Sequence, residues 1–119
     1  MTGGAPTPGP AIQKASINQL RQFGGDELIQ KVVATFLATA PERIKAIRAG
    51  IVASDAAKIS GEAHSLKSSS GQLGALKLAE LCEQAEQDAN SRKFDGMAAL
   101  SGALETEFAR VRAELAQFA

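Results

Sequence analysis

In the last quarter of the chain, Met97, Leu100, Leu104, Phe108, Val111, Leu115 and Phe118 recur at steps of three and four. A segment with that repeat forms a long helix that buries one stripe against other helices. The same period runs through the rest of the sequence. Ile29, Val32, Phe36 and Ala40 make one stripe, widened by Leu28, Val33 and Leu37, and Ile44, Ile47 and Ile51 continue it. Ile59, Ala63, Leu66 and Leu73 make a second, and Leu78, Leu81, Cys82, Ala85 and Ala89 a third. Nothing alternates as a β-strand does, so the class is all-α.

Breaks between the stripes are brief, and short connections force neighbouring helices to run antiparallel. The expected architecture is an up-down-up-down antiparallel four-helix bundle with a short additional N-terminal helix. Ser16 is expected to cap that short helix, which ends near Phe23 at Gly24-Gly25, and Asp26 to cap the next. Pro41 predicts a kink or a fresh start, Asp55 a cap, Gly74 a helix end, and Asn90 to Lys93 a turn. Residues 1–11 are Gly, Pro, Thr and Ala without hydrophobic period, the composition of a flexible tail or linker. Residues 12–119 are expected to form the one domain.

Thirteen basic and thirteen acidic residues cancel, so no overall field favours nucleic acid or an anionic membrane. The chain has no Trp or Tyr and so lacks the usual platforms for stacking bases. No segment has the apolar length of a membrane span, and the start does not read as a secretory signal. A cytoplasmic location is expected. One cysteine excludes a disulfide framework, and Cys82 reads as a small core residue. With one His and one Cys, the chain is short of the usual metal-ligand and triad sets, so a hydrolytic or metal enzyme is disfavoured.

The chemistry-bearing feature is His64, the single histidine, in Ala63-His64-Ser65-Leu66-Lys67-Ser68-Ser69-Ser70-Gly71. Helical spacing places Lys67, Ser68 and Gly71 beside it, with Ser60 and Gly61 a turn earlier. All but the lysine are small. Imidazole is a competent neutral nucleophile near pH 7. Phosphoryl transfer through a loose transition state asks the protein mainly for alignment and charge compensation, which one nearby cation supplies. Small neighbours leave an in-line approach open to a large donor.

His64-Ser65-Leu66-Lys67, followed by Ser69-Ser70, Leu73, Gly74 and Ala75, resembles the signature of histidine-containing phosphotransfer (HPt) domains. The resemblance extends loosely over about residues 16–118. It implies a monomeric four-helix bundle without a catalytic centre of its own, which takes a phosphoryl group from one response-regulator receiver aspartate and delivers it to another. It also implies a hybrid sensor histidine kinase as a partner. No cofactor is expected on this chain, and Mg²⁺ is expected on the receiver. On this resemblance His64 is the phosphoacceptor and Lys67 steadies phosphoryl oxygens and meets the receiver. Ser68 stands where many members have glycine. Glu86, close in sequence to Glu83 and Gln84, falls where members place an acceptor for the non-reactive imidazole nitrogen.

A docking receiver also needs apolar area. Ile17, Leu20, Phe23 and Leu28 are the expected contributors, beside Ser60, Gly61, Ser68 and Gly71. Two other functions fit the residues. One is a phosphoacceptor domain of a chemotaxis-type kinase, phosphorylated directly from ATP by a separate kinase domain. The other is a helical adaptor that transfers nothing. Ser69 and Ser70 are expected to be structural.

Overall fold

The computed structural model describes residues 9–118. The tail expected over residues 1–11 therefore lies mostly outside the described part. Four helices carry the fold: α1 (Lys14–Ala53), α2 (Ala56–Gln72), α3 (Leu76–Asn90) and α4 (Met97–Leu115), followed by a short 3-10 turn at Ala116–Phe118. No strand occurs among the described residues. Helix α2 packs on α1 and α3, and α4 packs on α1 and α3, so the four close a ring around one core. That core contains Ile29, Val33, Phe36, Ile47, Ile59, Leu66, Leu78, Leu104 and Val111. The rings of Phe36 and Phe108 meet at 5.9 Å between centroids and join α1 to α4.

The first helix departs from expectation at its cap. The leading segment forms the opening arm of α1, and Gly25 (φ 68°, ψ −165°) has non-helical torsions, so arm and long helix meet at a kink at the Gly24-Gly25 break marked by the sequence. Only glycine tolerates that conformation without strain. A straight helix of 40 residues would measure about 60 Å, whereas the longest extent of the molecule is 42 Å. The bend is thus what keeps the arm against the bundle. Ser16 lies inside the helix and does not cap it. Gln13 holds the cap position without a side-chain bond, and its N–H donates to the Gly74 carbonyl at 3.0 Å. Asp26 accepts from Arg21 Nε at 3.0 Å. At Pro41 the helix neither breaks nor restarts. This proline is exposed, so its ring meets solvent rather than the core.

Elsewhere the punctuation follows the sequence. Asp55 caps α2, accepting the Lys58 N–H at 3.1 Å. Gly50 is buried where α1 crosses α2, and a Cβ there would lie 2.8 Å from Ile59 Cγ1. Gly74 (φ 76°) turns the chain between α2 and α3, and a Cβ there would lie 2.7 Å from Ser16 Oγ. Ordered contacts begin ahead of residue 12, because both Ala11 and Ile12 belong to the core. Among the described residues no helix is long and apolar enough to cross a membrane.

Candidate functional site

Helix α2 divides its residues sharply by face. Ile59, Ala63, Leu66 and Ser70 point into the bundle, and the side opposite them carries Gly61, His64, Ser68 and Gly71, all exposed. Ser60 lies half-buried toward the edge. The His64 side chain is 61% exposed on a surface with no bulky neighbour on its own helix.

One carboxylate organises the polar groups at this face. Glu86, on α3, places Oε2 3.0 Å from His64 Nδ1 and accepts from Lys67 Nζ through Oε1 at 2.7 Å. A carboxylate only accepts, so this pairing calls for the proton on Nδ1 and leaves the Nε2 lone pair free. The Lys67 hydrogen bond, helped by that of His64, holds the Glu86 carboxyl below its ordinary range, against the upward push of burial. Reciprocally, Glu86 through its hydrogen bond and charge, with Glu83 adding to it, raises Lys67 above the usual lysine value. Lys67 is therefore paired with Glu86 rather than standing as an unneutralised cation beside the imidazole. Glu83 is exposed and makes neither bond, which separates Glu86 from its sequence neighbours.

Behind the site lies Cys82, fully buried, whose thiol is pushed up to about 12 by desolvation. Ser69 donates within α2, to the carbonyls of Ser65 and Leu66. Ser70 is buried and its hydroxyl has no partner. Among the described residues no group of three or more His, Cys, Asp or Glu side chains could hold a metal ion.

The apolar residues expected near the histidine separate into two sets. Phe23 is 86% exposed and Leu28 is half-buried. With Leu20, Gly71 and Gln72 they line a shallow groove between the arm of α1 and the end of α2. Ile17, by contrast, faces the core at 4% exposure and offers no contact surface. Leu20 is buried to the margin of that groove. Ile17 lies on the arm's inward stripe with Leu20, while Phe23 faces solvent.

The sequence reading missed Glu114. Its carboxylate accepts the backbone N–H groups of Ala11 at 2.6 Å and Ile12 at 3.0 Å, tying the chain start to α4. No local signal marks it, because its partners lie 103 and 102 residues away.

A ring of helices with a solvent-facing imidazole, set by a buried-edge carboxylate and flanked by an ammonium, is the form of a histidine phosphocarrier. The Hpt domain family model matches residues 31–116. The crystal structure of histidine-containing phosphotransfer protein B (HptB) from Pseudomonas aeruginosa PAO1 superposes with a TM-score of 0.86 at 30% identity. That match covers 92% of this chain and 95% of the other. No curated protein sequence matches. The chain belongs to the Hpt family, whose members are phosphocarrier modules of two-component signalling.

Proposed function

We propose that the chain is a phosphorelay intermediate, accepting a phosphoryl group on His64 Nε2 from a receiver-domain aspartyl phosphate and passing it to the aspartate of another receiver. The observation that carries this reading is the contact between Glu86 and Nδ1. With Nδ1 protonated and held, Nε2 is both the nucleophilic nitrogen and the one left to face solvent. In the forward step the Nε2–P bond forms as the bond from phosphorus to the aspartate oxygen breaks. The Nδ1 proton stays in place, and Glu86 balances the positive charge on the imidazole. Lys67, one turn away, can turn toward the phosphoryl oxygens. Delivery to the second aspartate reverses these events.

Ser60, Gly61, Ser68 and Gly71 keep the approach low, and the groove at Phe23, Leu20 and Leu28 adds apolar area for the receiver. Ile17 is outside this surface. The Mg²⁺ needed for receiver chemistry is expected to remain on the receiver, and the chain to work as a monomer in an antiparallel up-down-up-down arrangement. A hybrid sensor histidine kinase supplies the first receiver.

Incubation with receivers carrying labelled phosphate tests the reading. One acid-labile, alkali-stable phosphoryl group per chain is expected, and none on His64→Gln. Label retained by that variant rejects His64 as the acceptor. Labelling by a kinase domain with ATP, and by no receiver, would instead select the chemotaxis-type function.

A further inference from the structure

The surface beside His64 is built from two elements that are not continuous in the chain: the end of α2 and the arm of α1 that carries Phe23. The arm is joined to the rest of α1 only through Gly25, the one residue of that helix with non-helical torsions. Its other end is held by the burial of Ala11, Ile12, Ile17 and Leu20, by an Arg110 bond to the Gly9 carbonyl, and by three further contacts. Glu114 accepts the Ala11 and Ile12 amides. The Gln13 amide donates to Gly74 at 3.0 Å. Gly74 itself fits against Ser16 too closely to admit a Cβ. Among these contacts Glu114 takes two amides at once, through a side chain whose removal leaves the backbone of the α2–α3 turn untouched.

We infer that Glu114 is a positioning residue for receiver docking: by clamping the chain before α1 onto α4, it sets where the arm presents Phe23 relative to His64. This rests on the phosphorelay reading given above. Two hydrogen bonds donated by backbone amides to one carboxylate are charge-assisted and strong. Without them the start of the chain keeps its apolar burial, the Gln13 bond to Gly74 and the Arg110 bond to the Gly9 carbonyl, but the Ala11 and Ile12 amides lose the acceptor that fixes them on α4. A receiver that docks on Phe23 must then order the arm as it binds, and that ordering weakens association without altering the chemistry at His64.

The test measures transfer from a phosphorylated receiver to the full chain, with Glu114→Ala, Phe23→Ala and the double variant. Glu114→Ala is expected to raise KM for the receiver about tenfold and leave kcat within about twofold. Glu114→Gln, which can still accept one amide through its carbonyl oxygen, should fall between. If Glu114 acts through Phe23, its removal in the Phe23→Ala background adds little further loss. Fully additive losses, or an unchanged KM, overturn the inference. Amide hydrogen exchange decides the clamp independently of any transfer. Glu114→Ala should speed exchange across residues 14–24 while amides around His64 stay protected, and an arm that remains protected sinks the proposal. Failure of the unmodified chain to take phosphate from any receiver would count against the phosphorelay reading and leave the exchange result to judge the clamp.

Discussion

Glu86 and Glu114 are chemically alike, each a partly covered carboxylate with both oxygens engaged, yet they serve opposite ends of the problem. Glu86 grips two side chains, His64, whose ring gains positive charge when a phosphoryl group arrives, and Lys67, which stays an ammonium throughout. Glu114 grips two backbone amides that carry no chemistry and need only stay put. The same functional group thus tunes a reactive centre in one place and fixes geometry in the other. What decides the role is whether the partners are titratable side chains or peptide N–H groups.

The largest expected effect that separates them is on the chemical step. Glu86→Ala should slow phosphoryl transfer to His64 about 10- to 100-fold at saturating receiver, the size of loss seen when a carboxylate that orients a metal-bound histidine is removed. Glu114→Ala should not slow that step. Rapid-quench measurement of both variants checks the contrast, and equal slowing would break it.

Next in size are two glycines of α1, one at the kink of the arm and one at the crossing with α2. Gly25→Ala forces a side chain into torsions that only glycine adopts freely, and should cost about 1–3 kcal/mol in denaturant unfolding. Gly50→Ala, where a Cβ would press on Ile59, is expected to cost about 1–3 kcal/mol as an overpacked contact. The loss from Gly25→Ala should come with faster exchange in the arm, and that from Gly50→Ala without it. Matching exchange profiles would show that the arm is not an independent unit.

A smaller effect depends on pH. The folded-state pKa of Glu86 is depressed, chiefly by the Lys67 hydrogen bond. Its stabilising contribution is therefore complete above the ordinary carboxylate value of 4.5 and is lost as pH falls through the lower folded value. The stability difference between the unmodified chain and Glu86→Gln should be present at neutral pH and shrink on acidification below that window. Thermal melts at several pH values measure it, and a difference that grows in acid contradicts the assignment. Smallest of all, Cys82, buried with its thiol pushed up to about 12, should react with a thiol reagent only as fast as the bundle opens.

The helical class and most boundaries could be read from the sequence because they are local. The period of three and four around Leu104, Asp55 before α2 and Gly74 after it each act within a turn or two of chain. His64, Lys67 and Glu86 were legible through the motif and its resemblance, although the sharing of one carboxylate between imidazole and ammonium needed the facing of α2 and α3. The burial of Ile17 is not legible in the sequence, because it depends on how the kink at Gly25 lays the arm on the core. At Pro41 the sequence leaves a kink and a fresh start both open, and only the packing of the apolar stripes on either side carries α1 through without a fresh start. Glu114 could not be found at all, since its meaning depends on amides at the opposite end of the chain.

The measurement that bears most directly on the whole account is nuclear magnetic resonance of the phosphorylated, ¹⁵N-labelled chain, observing phosphorus–nitrogen coupling in the modified ring. The account predicts phosphorus on Nε2 of His64 with a proton retained on Nδ1 and lost from that hydrogen bond in Glu86→Ala. Phosphorus on Nδ1, or on any residue other than His64, would contradict it.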